Sequence, residues 1–339
     1  MKIINVEDAV GTVLAHDMTR IIPGKFKGVG FKKGHVVRKE DIPELLKIGK
    51  RSLYVLNLSK NQLHEDDAAL RIARAVSGNN LEWTEPREGK INIISKVDGL
   101  FKVDIQNLLK VNKLDSIILA TLKNNFPCKK GQIIASTRII PLVIPAKIIE
   151  RLEKLTYQKE PILQVKRFKK MKVGAVITGS EIYNGLITDG FDPSIGRKIK
   201  DSGCDVVKKI IVSDDIESIS NALLELKDFG CELIVTTGGL SVDPDDVTLQ
   251  GVAKAGADIS FYGSPVLPGA MFMYALLDDI QILGLPACVF HSKHTVFDLL
   301  LPRILAGEKI VEEDIVQMGH GGLCMDCEVC HFPVCSFGR

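Results

Sequence analysis

The chain has 339 residues, 45% of them hydrophobic and 25% charged, with 44 Lys and Arg against 42 Asp and Glu. That length predicts two or three domains, and the composition is that of a folded protein with a sizeable core. A formal net charge of +2 without any block of like charges argues against a nucleic-acid surface or a polybasic membrane patch.

Met1 to Gly11 carries Glu7 and Asp8 and lacks an apolar run, so it does not read as a secretory signal. Residues 1 to 60 predict a small α+β domain, with turns at Pro23-Gly24-Lys25 and Lys32-Lys33-Gly34, a helix from Asp41 to Gly49 and a strand from Ser52 to Leu58. Residues 61 to 158 predict a β-rich domain. It opens on a helix, Glu65 to Val76, and has strands at Ile91 to Ile94, Ile117 to Thr121 and Ile133 to Ile144, then a helix from Pro145 to Leu155. Residues 159 to 171, with a basic run at Lys166, Arg167, Lys169 and Lys170, read as a linker.

From residue 172 to 310 the pattern is a strand–helix alternation. Val173 to Thr178 is an apolar strand, Val206 to Val212 is the next strand, and Leu233 to Thr237 is a short, mostly apolar, β-branched run of the kind that lies buried on both faces of a parallel sheet. Between them, Asp192-Pro193 starts a helix that Gly203 ends, and Asp214 with Glu217 predicts a capping box before Ile216, Ile219, Leu223 and Leu226. A further helix is expected over about Asp245 to Ala255, capped by Asp243-Pro244. The expectation is a doubly wound, mostly parallel α/β sheet preceded by smaller mixed α+β and β-rich domains. Ser260 to Leu277, the longest uncharged stretch, is broken by Gly263, Pro265, Pro268 and Gly269 and predicts strands and turns rather than a membrane helix. A cytoplasmic protein is expected.

In such sheets, ligands sit beyond the carboxyl ends of the strands. Thr236 to Thr248 occupies that place. Gly238-Gly239 lets the backbone approach an anion, Thr237 and Ser241 offer hydroxyl donors, and Asp245 and Asp246 suit Mg²⁺ or a pterin edge. The same residues also suit a purely structural turn, with Asp246 stabilising the start of a helix.

Taken in order, Val176-Ile177-Thr178-Gly179-Ser180-Glu181, Asp214-Asp215, Thr237 to Val242 with Asp246, Ser264 to Gly269 and Leu283-Gly284-Leu285-Pro286 resemble the motif series of molybdopterin-binding domains. These are shared by molybdopterin adenylyltransferases and molybdopterin molybdenumtransferases. Ala9 to Asp17 resembles the opening of the molybdenumtransferase, and the long N-terminal part fits that layout better than the short adenylyltransferases. The resemblance implies that Thr237, Gly238, Gly239 and Ser241, with Pro268 and Gly269, hold molybdopterin or its adenylylated form. It implies that Glu181, Asp215 and Asp246 are the catalytic residues, where adenylylated pterin, Mg²⁺ and molybdate meet and AMP is released.

The departures from the pattern are specific. The family's Lys-Pro-Gly-Lys-Pro is Leu267-Pro268-Gly269-Ala270-Met271, and no Lys or Arg occurs between Lys254 and Lys293. Its Leu-Pro-Gly-Asn-Pro is Leu285-Pro286-Ala287-Cys288-Val289, and Phe26 to Phe31 stands where Asp-Gly-Tyr-Ala would be. A doubly charged oxyanion needs cationic or backbone donors close by. A non-catalytic carrier, sensor or maturation partner is therefore the alternative expectation, with an adenylyltransferase third.

Of the eight cysteines, Cys128, Cys204, Cys231 and Cys288 stand singly among apolar neighbours. Cys324, Cys327, Cys330 and Cys335 form a run in a Cys-rich tail, residues 311 to 339, whose spacing suits one metal centre. An iron–sulfur cluster and a Zn²⁺ site are both open, with His320 and His331 as substitute ligands. Expected partners are the pterin and molybdate, a molybdoenzyme or another cofactor-synthesis protein, and a second copy of the chain in a homodimer.

Overall fold

The computed structural model describes residues 2–22, 24–55, 59, 61–157 and 160–338. Pro23 of the first expected turn, the end of the strand expected to reach Leu58, and Gln158 and Lys159 lie outside the described residues. The chain divides into two compact units, residues 1–124 with 128–166, and residues 125–127 with 167–339. Among the described residues, no helix is long and apolar enough to cross a membrane.

In the first unit, Lys2–Asn5 pairs antiparallel with Ser52–Val55, and Met18–Ile22 with Phe26–Phe31. Val6, Leu14, Met18, Val37, Leu45 and Leu53 bury a small core beside the helix Asp41–Lys47. A four-stranded antiparallel sheet follows, in the order Leu81–Trp83, Lys90–Ser95, Ile133–Ile139, Ile117–Thr121. The helix Glu65–Val76 seals it by setting Ala69 and Ala73 against Ile91. His64 caps this helix by accepting from the Asp66 amide, and Arg71 clamps it bidentately to Glu153 of the helix Ala146–Thr156 at 2.8 and 2.6 Å.

Three expectations change here. The strand predicted to run from Ile133 to Ile144 stops at Ile139 and resumes at Val143–Pro145, because Pro141 has no N–H to give a ladder. Ile105–Asn112, read as part of a β-rich stretch, is a helix whose N-terminus Asp104 caps through the Asn107 amide at 2.9 Å. Within the stretch read as a linker, Leu163–Arg167 is a strand with Leu163 and Val165 buried.

The second unit is built on a six-stranded sheet. Its strands are β1 (Lys172–Thr178), β2 (Asp205–Val212), β3 (Leu233–Thr237), β4 (Asp258–Tyr262), β5 (Met273–Leu277) and β6 (Ile280–Leu285). The spatial order is β2-β1-β3-β6-β5-β4; β2, β1, β3 and β6 are mutually parallel and the last two pairings are antiparallel. All five residues of β3 are buried, as a central strand covered on both faces requires.

One face packs Phe191, Ile195 and Ile199, the helix Val296–Leu305 and Ile315 against Val235, Phe272 and Leu283. The other packs the helices Ile216–Asp228 and Thr248–Lys254 against Val176, Ile234 and Met273. The fold is thus the expected doubly wound α/β domain, with an antiparallel hairpin added to the parallel sheet.

Local caps differ from expectation. Asp215, one residue beyond Asp214, is the cap of Ile216–Asp228 and accepts from the Ser218 amide at 2.8 Å and its hydroxyl at 2.7 Å. Asp214 instead accepts from the Ser180 amide at 2.8 Å. The helix expected from Asp245 begins only at Thr248, and Asp243 does not cap it.

Candidate functional site

The parallel strands β3 and β6 end together, and their outgoing loops, with the loop after β4, build a pocket of about 510 Å³. It is lined by Gly238, Gly239, Leu240, Ser241, Asp243 and Asp246 after β3, by Leu267 to Met271, and by Leu285 to Cys288 after β6. That size is within the range of small-molecule sites.

The loop after β3 is locked by close packing. Gly238 (φ +88°) lies so near β1 that a Cβ would stand 2.3 Å from the Thr178 carbonyl oxygen, and a Cβ on Gly239 (φ +58°) would meet the Thr248 hydroxyl. Thr248 donates its hydroxyl to the Gly238 carbonyl at 2.9 Å, its amide donates to the Gly239 carbonyl at 3.1 Å, and Tyr262 donates to the Leu240 carbonyl at 2.5 Å. With the carbonyls so engaged, the N–H groups of Gly239, Leu240 and Ser241 donate to no other described residue. Three consecutive free amides in a glycine turn are an anion-binding arrangement that needs no cationic side chain.

The opposite wall is the loop after β4. Ser264 closes it, donating its amide to the Ala270 carbonyl at 2.8 Å and its hydroxyl to the Gly269 carbonyl at 3.0 Å. Gly269 (φ +132°) is needed because a Cβ would stand 2.7 Å from Val296.

Of the residues singled out in the sequence, Gly238, Gly239, Ser241, Asp246, Pro268 and Gly269 come together in this pocket. Thr237 lies behind it, 1% exposed, with a hydroxyl that has no partner among the described residues. Glu181 and Asp215 do not line the pocket. The Ser218 hydroxyl and amide hold the Asp215 carboxyl below the usual carboxylate range, as expected of a helix cap.

Sequence reasoning missed Asp243, assigned to a cap, and Cys288, set aside as a buried hydrophobe. Both face the pocket, and burial pushes the Cys288 thiol up from its ordinary value. The pocket lining contains two carboxylates and no Lys, Arg or His. Asp243 and Asp246 suit a Mg²⁺ ion, which takes one or two carboxylates and fills its remaining positions with water and phosphate oxygens.

The C-terminal segment packs on this domain. Leu267 donates to the Gly322 carbonyl and Cys324 donates to the Leu267 carbonyl, each at 2.8 Å, so the segment pairs with the pocket wall beside Pro268. Phe332 stacks on His294 with centroids 4.3 Å apart, and Phe337 is buried in the core. Cys324 and Cys335 turn partly toward that core, whereas Cys327 and Cys330 are exposed. Among the described residues no three His, Cys, Asp or Glu side chains converge as a ligand set. In this arrangement the four cysteines are divided between core and solvent.

Two family models match the chain: a domain of unknown function over residues 3–57 and a probable molybdopterin binding domain over residues 174–306. The molybdopterin molybdenumtransferase of Haemophilus influenzae is 25% identical over 177 residues, covering 48% of this chain and 43% of that protein. A CinA-like protein of Pseudothermotoga lettingae is 40% identical over 87 residues, covering 25% of this chain and 21% of that protein. The chain thus spans less than half the length of these curated relatives. Among solved structures, the tungsten cofactor synthesizing protein MoaB of Pyrococcus furiosus is similar, with 17% identity, a TM-score of 0.32 and coverage of 41% of this chain and 97% of that one. The CinA protein of Thermoplasma acidophilum, of unknown function, has 18% identity, a TM-score of 0.36 and coverage of 40% and 98%. The α/β domain over residues 174–306, with its glycine loop at the end of the central strand, belongs to the molybdopterin-binding family.

Proposed function

We propose that the chain binds molybdopterin or its adenylylated form in the pocket between the loops after β3 and β4, and acts in molybdenum cofactor biosynthesis. The observation that carries this reading is the trio of free amides at Gly239, Leu240 and Ser241, set in the domain matched by the molybdopterin-binding model. The pterin phosphate would sit on these amides, and the apolar wall of Leu267, Pro268 and Met271 would face the ring system.

The reaction that fits this layout is insertion of molybdate into adenylylated molybdopterin with release of AMP. Asp243 and Asp246 would hold Mg²⁺, whose charge offsets that of the phosphates. Anaerobic incubation with adenylylated molybdopterin, molybdate and Mg²⁺ should release AMP, and Asp246→Ala should slow that release by about 10²-fold or more. No AMP release by the unaltered chain would overturn the reaction.

One observation favours a second reading, a molybdopterin carrier or sensor: the lining has two carboxylates and no cation, so no cationic side chain offsets the charge of the molybdate oxyanion. Saturable pterin binding without turnover would establish that reading, and loss of binding in Gly239→Ala would place the ligand on the loop.

A further inference from the structure

A second cavity, of about 670 Å³, lies wholly within the first unit and outside everything described above. Its walls come from the strand Met18–Ile22 and the residues before it, the turn after the helix Asp41–Lys47, the start of the helix Glu65–Val76, and the strand Ile133–Ile139. Three ionic groups on the lining are spoken for. Lys47 pairs with Glu44 at 2.7 Å, Asp17 accepts from the Lys33 amide at 2.7 Å, and Glu88 accepts from the Thr19 hydroxyl at 3.1 Å.

Four groups on the lining are not spoken for. Among the described residues, the Arg138 guanidinium bonds only to the neighbouring Ile139 carbonyl, and the Lys50 ammonium pairs with no carboxylate. Glu65 is 4% exposed, and its carboxyl is wedged against Gly89 without a hydrogen bond to another described residue. His16 has a buried Nδ1 with no partner among the described residues. The lining thus holds two half-buried cations without a carboxylate partner, the buried Glu65 and an orphaned imidazole nitrogen, and a buried polar atom of the last kind calls for a partner.

We propose that this cavity binds a small molecule bearing an oxyanion group, a carboxylate or a phosphate, which pairs with Arg138 and Lys50 and completes the hydrogen bonding of Glu65 and His16.

Charge-assisted bonds to a guanidinium and an ammonium are the strongest contacts available to such a group. Glu65 takes part as an acid. Burial, then the nearby charge of Asp66, raises its carboxyl to about 7, with Glu88 acting in the same sense and Arg138 and Lys33 opposing. These groups come from its own helix, the turn before Lys90–Ser95, the strand Ile133–Ile139 and the loop after Phe26–Phe31. An arriving anion raises Glu65 further, so the ligand brings a proton with it. Burial, then Lys50 and His64, lower His16 below its ordinary value, opposed by Asp17 and Glu88. Its imidazole is thus held toward the neutral form and the proton goes to Glu65.

The test is calorimetric titration of the full chain with inorganic phosphate and, separately, with acetate, at pH 6 and pH 8. At least one anion should bind, about fivefold or more tightly at pH 6. Arg138→Gln and Lys50→Gln should each weaken it about tenfold or more, and Glu65→Gln should bind without the pH dependence. Phosphate alone would identify a phosphoryl ligand and acetate alone a carboxylate. Phosphate held at the glycine loop would be insensitive to both cation substitutions. Lys50 is in a turn, so its variant serves if Arg138→Gln lowers the melting temperature. No saturable binding of either anion up to about 10 mM at pH 6, or binding that both cation variants leave unchanged, would overturn the proposal.

Discussion

Replacing Gly238 by alanine isolates the feature on which the glycine loop depends. The substitution has two costs. An alanine at φ +88° enters the left-handed region, at about 1 kcal/mol. Its methyl group would also stand 2.3 Å from the Thr178 carbonyl oxygen and 2.6 Å from the Thr178 hydroxyl. Both belong to the end of β1 and cannot swing aside, so the loop must move by about 1 Å, an overpacking cost of about 1–3 kcal/mol. The matched control is Gly256, which has φ +85° and nothing within 4 Å of the place a methyl group would take. Gly256→Ala should therefore cost only the backbone part. Urea unfolding of the second unit, followed by far-ultraviolet circular dichroism, should rank the variants with Gly238→Ala less stable by about 1–3 kcal/mol. Equal stability of the two variants, within about 0.5 kcal/mol, would refute the claim that the loop is jammed against β1.

Other consequences are open to measurement. Glu65 rises from 4.5 in the unfolded chain to about 7 when folded, so its ionisation opposes folding increasingly as pH climbs between those values. Glu65→Gln should stabilise the first unit by about 2–3 kcal/mol at pH 8 and leave it unchanged near pH 4; a pH-independent difference between the two melts would contradict this. Asp298 is largely shielded from solvent, which alone raises its carboxyl, but bonds from His294 and Lys198 hold it below its ordinary value while it caps Val296–Leu305. Asp298→Asn should cost about 2–4 kcal/mol at pH 7, and the gap should close in acid as the native carboxylate is protonated. In a timed thiol-labelling experiment read by mass spectrometry, exposed Cys327 and Cys330 should react first, and buried Cys128, Cys204 and Cys231 only on unfolding. Early labelling of Cys231 would show that the second unit opens locally.

The sequence carried the α/β domain well because β1 and β3 are short apolar runs closed by Gly179 and Gly238, which leaves little choice between helix and strand at Leu233 to Thr237. Gly238 and Gly239 were legible for the same reason: only glycine takes those dihedral angles so close to another strand. Asp243 was misplaced because an Asp-Pro pair before a helical pattern looks like a cap wherever the helix actually starts. Nothing local says that Thr248 will turn back to bond the glycine carbonyls. The helix Ile105–Asn112 has Ile105, Leu108 and Leu109 at helical spacing, but it buries only Val111 and leaves Ile105 and Leu109 exposed, and its start was lost among the β-like runs around it. Asp104 with Asn107 was the signal available. The gathering of Arg138, Lys50, Glu65 and His16 around one cavity joins residues far apart in the chain and was invisible before folding.

The hydroxyls and carbonyls that fix the glycine loop also set the tempo of recognition. A loop already clamped by Thr248 and Tyr262 has little left to order when a ligand arrives. Association then involves displacing water from three waiting amides rather than waiting for a segment to find its shape, and little ordering entropy is charged against the complex. Discrimination between ligands must accordingly come from fit to a rigid mould, so that a poorly matched molecule leaves quickly rather than being accommodated slowly.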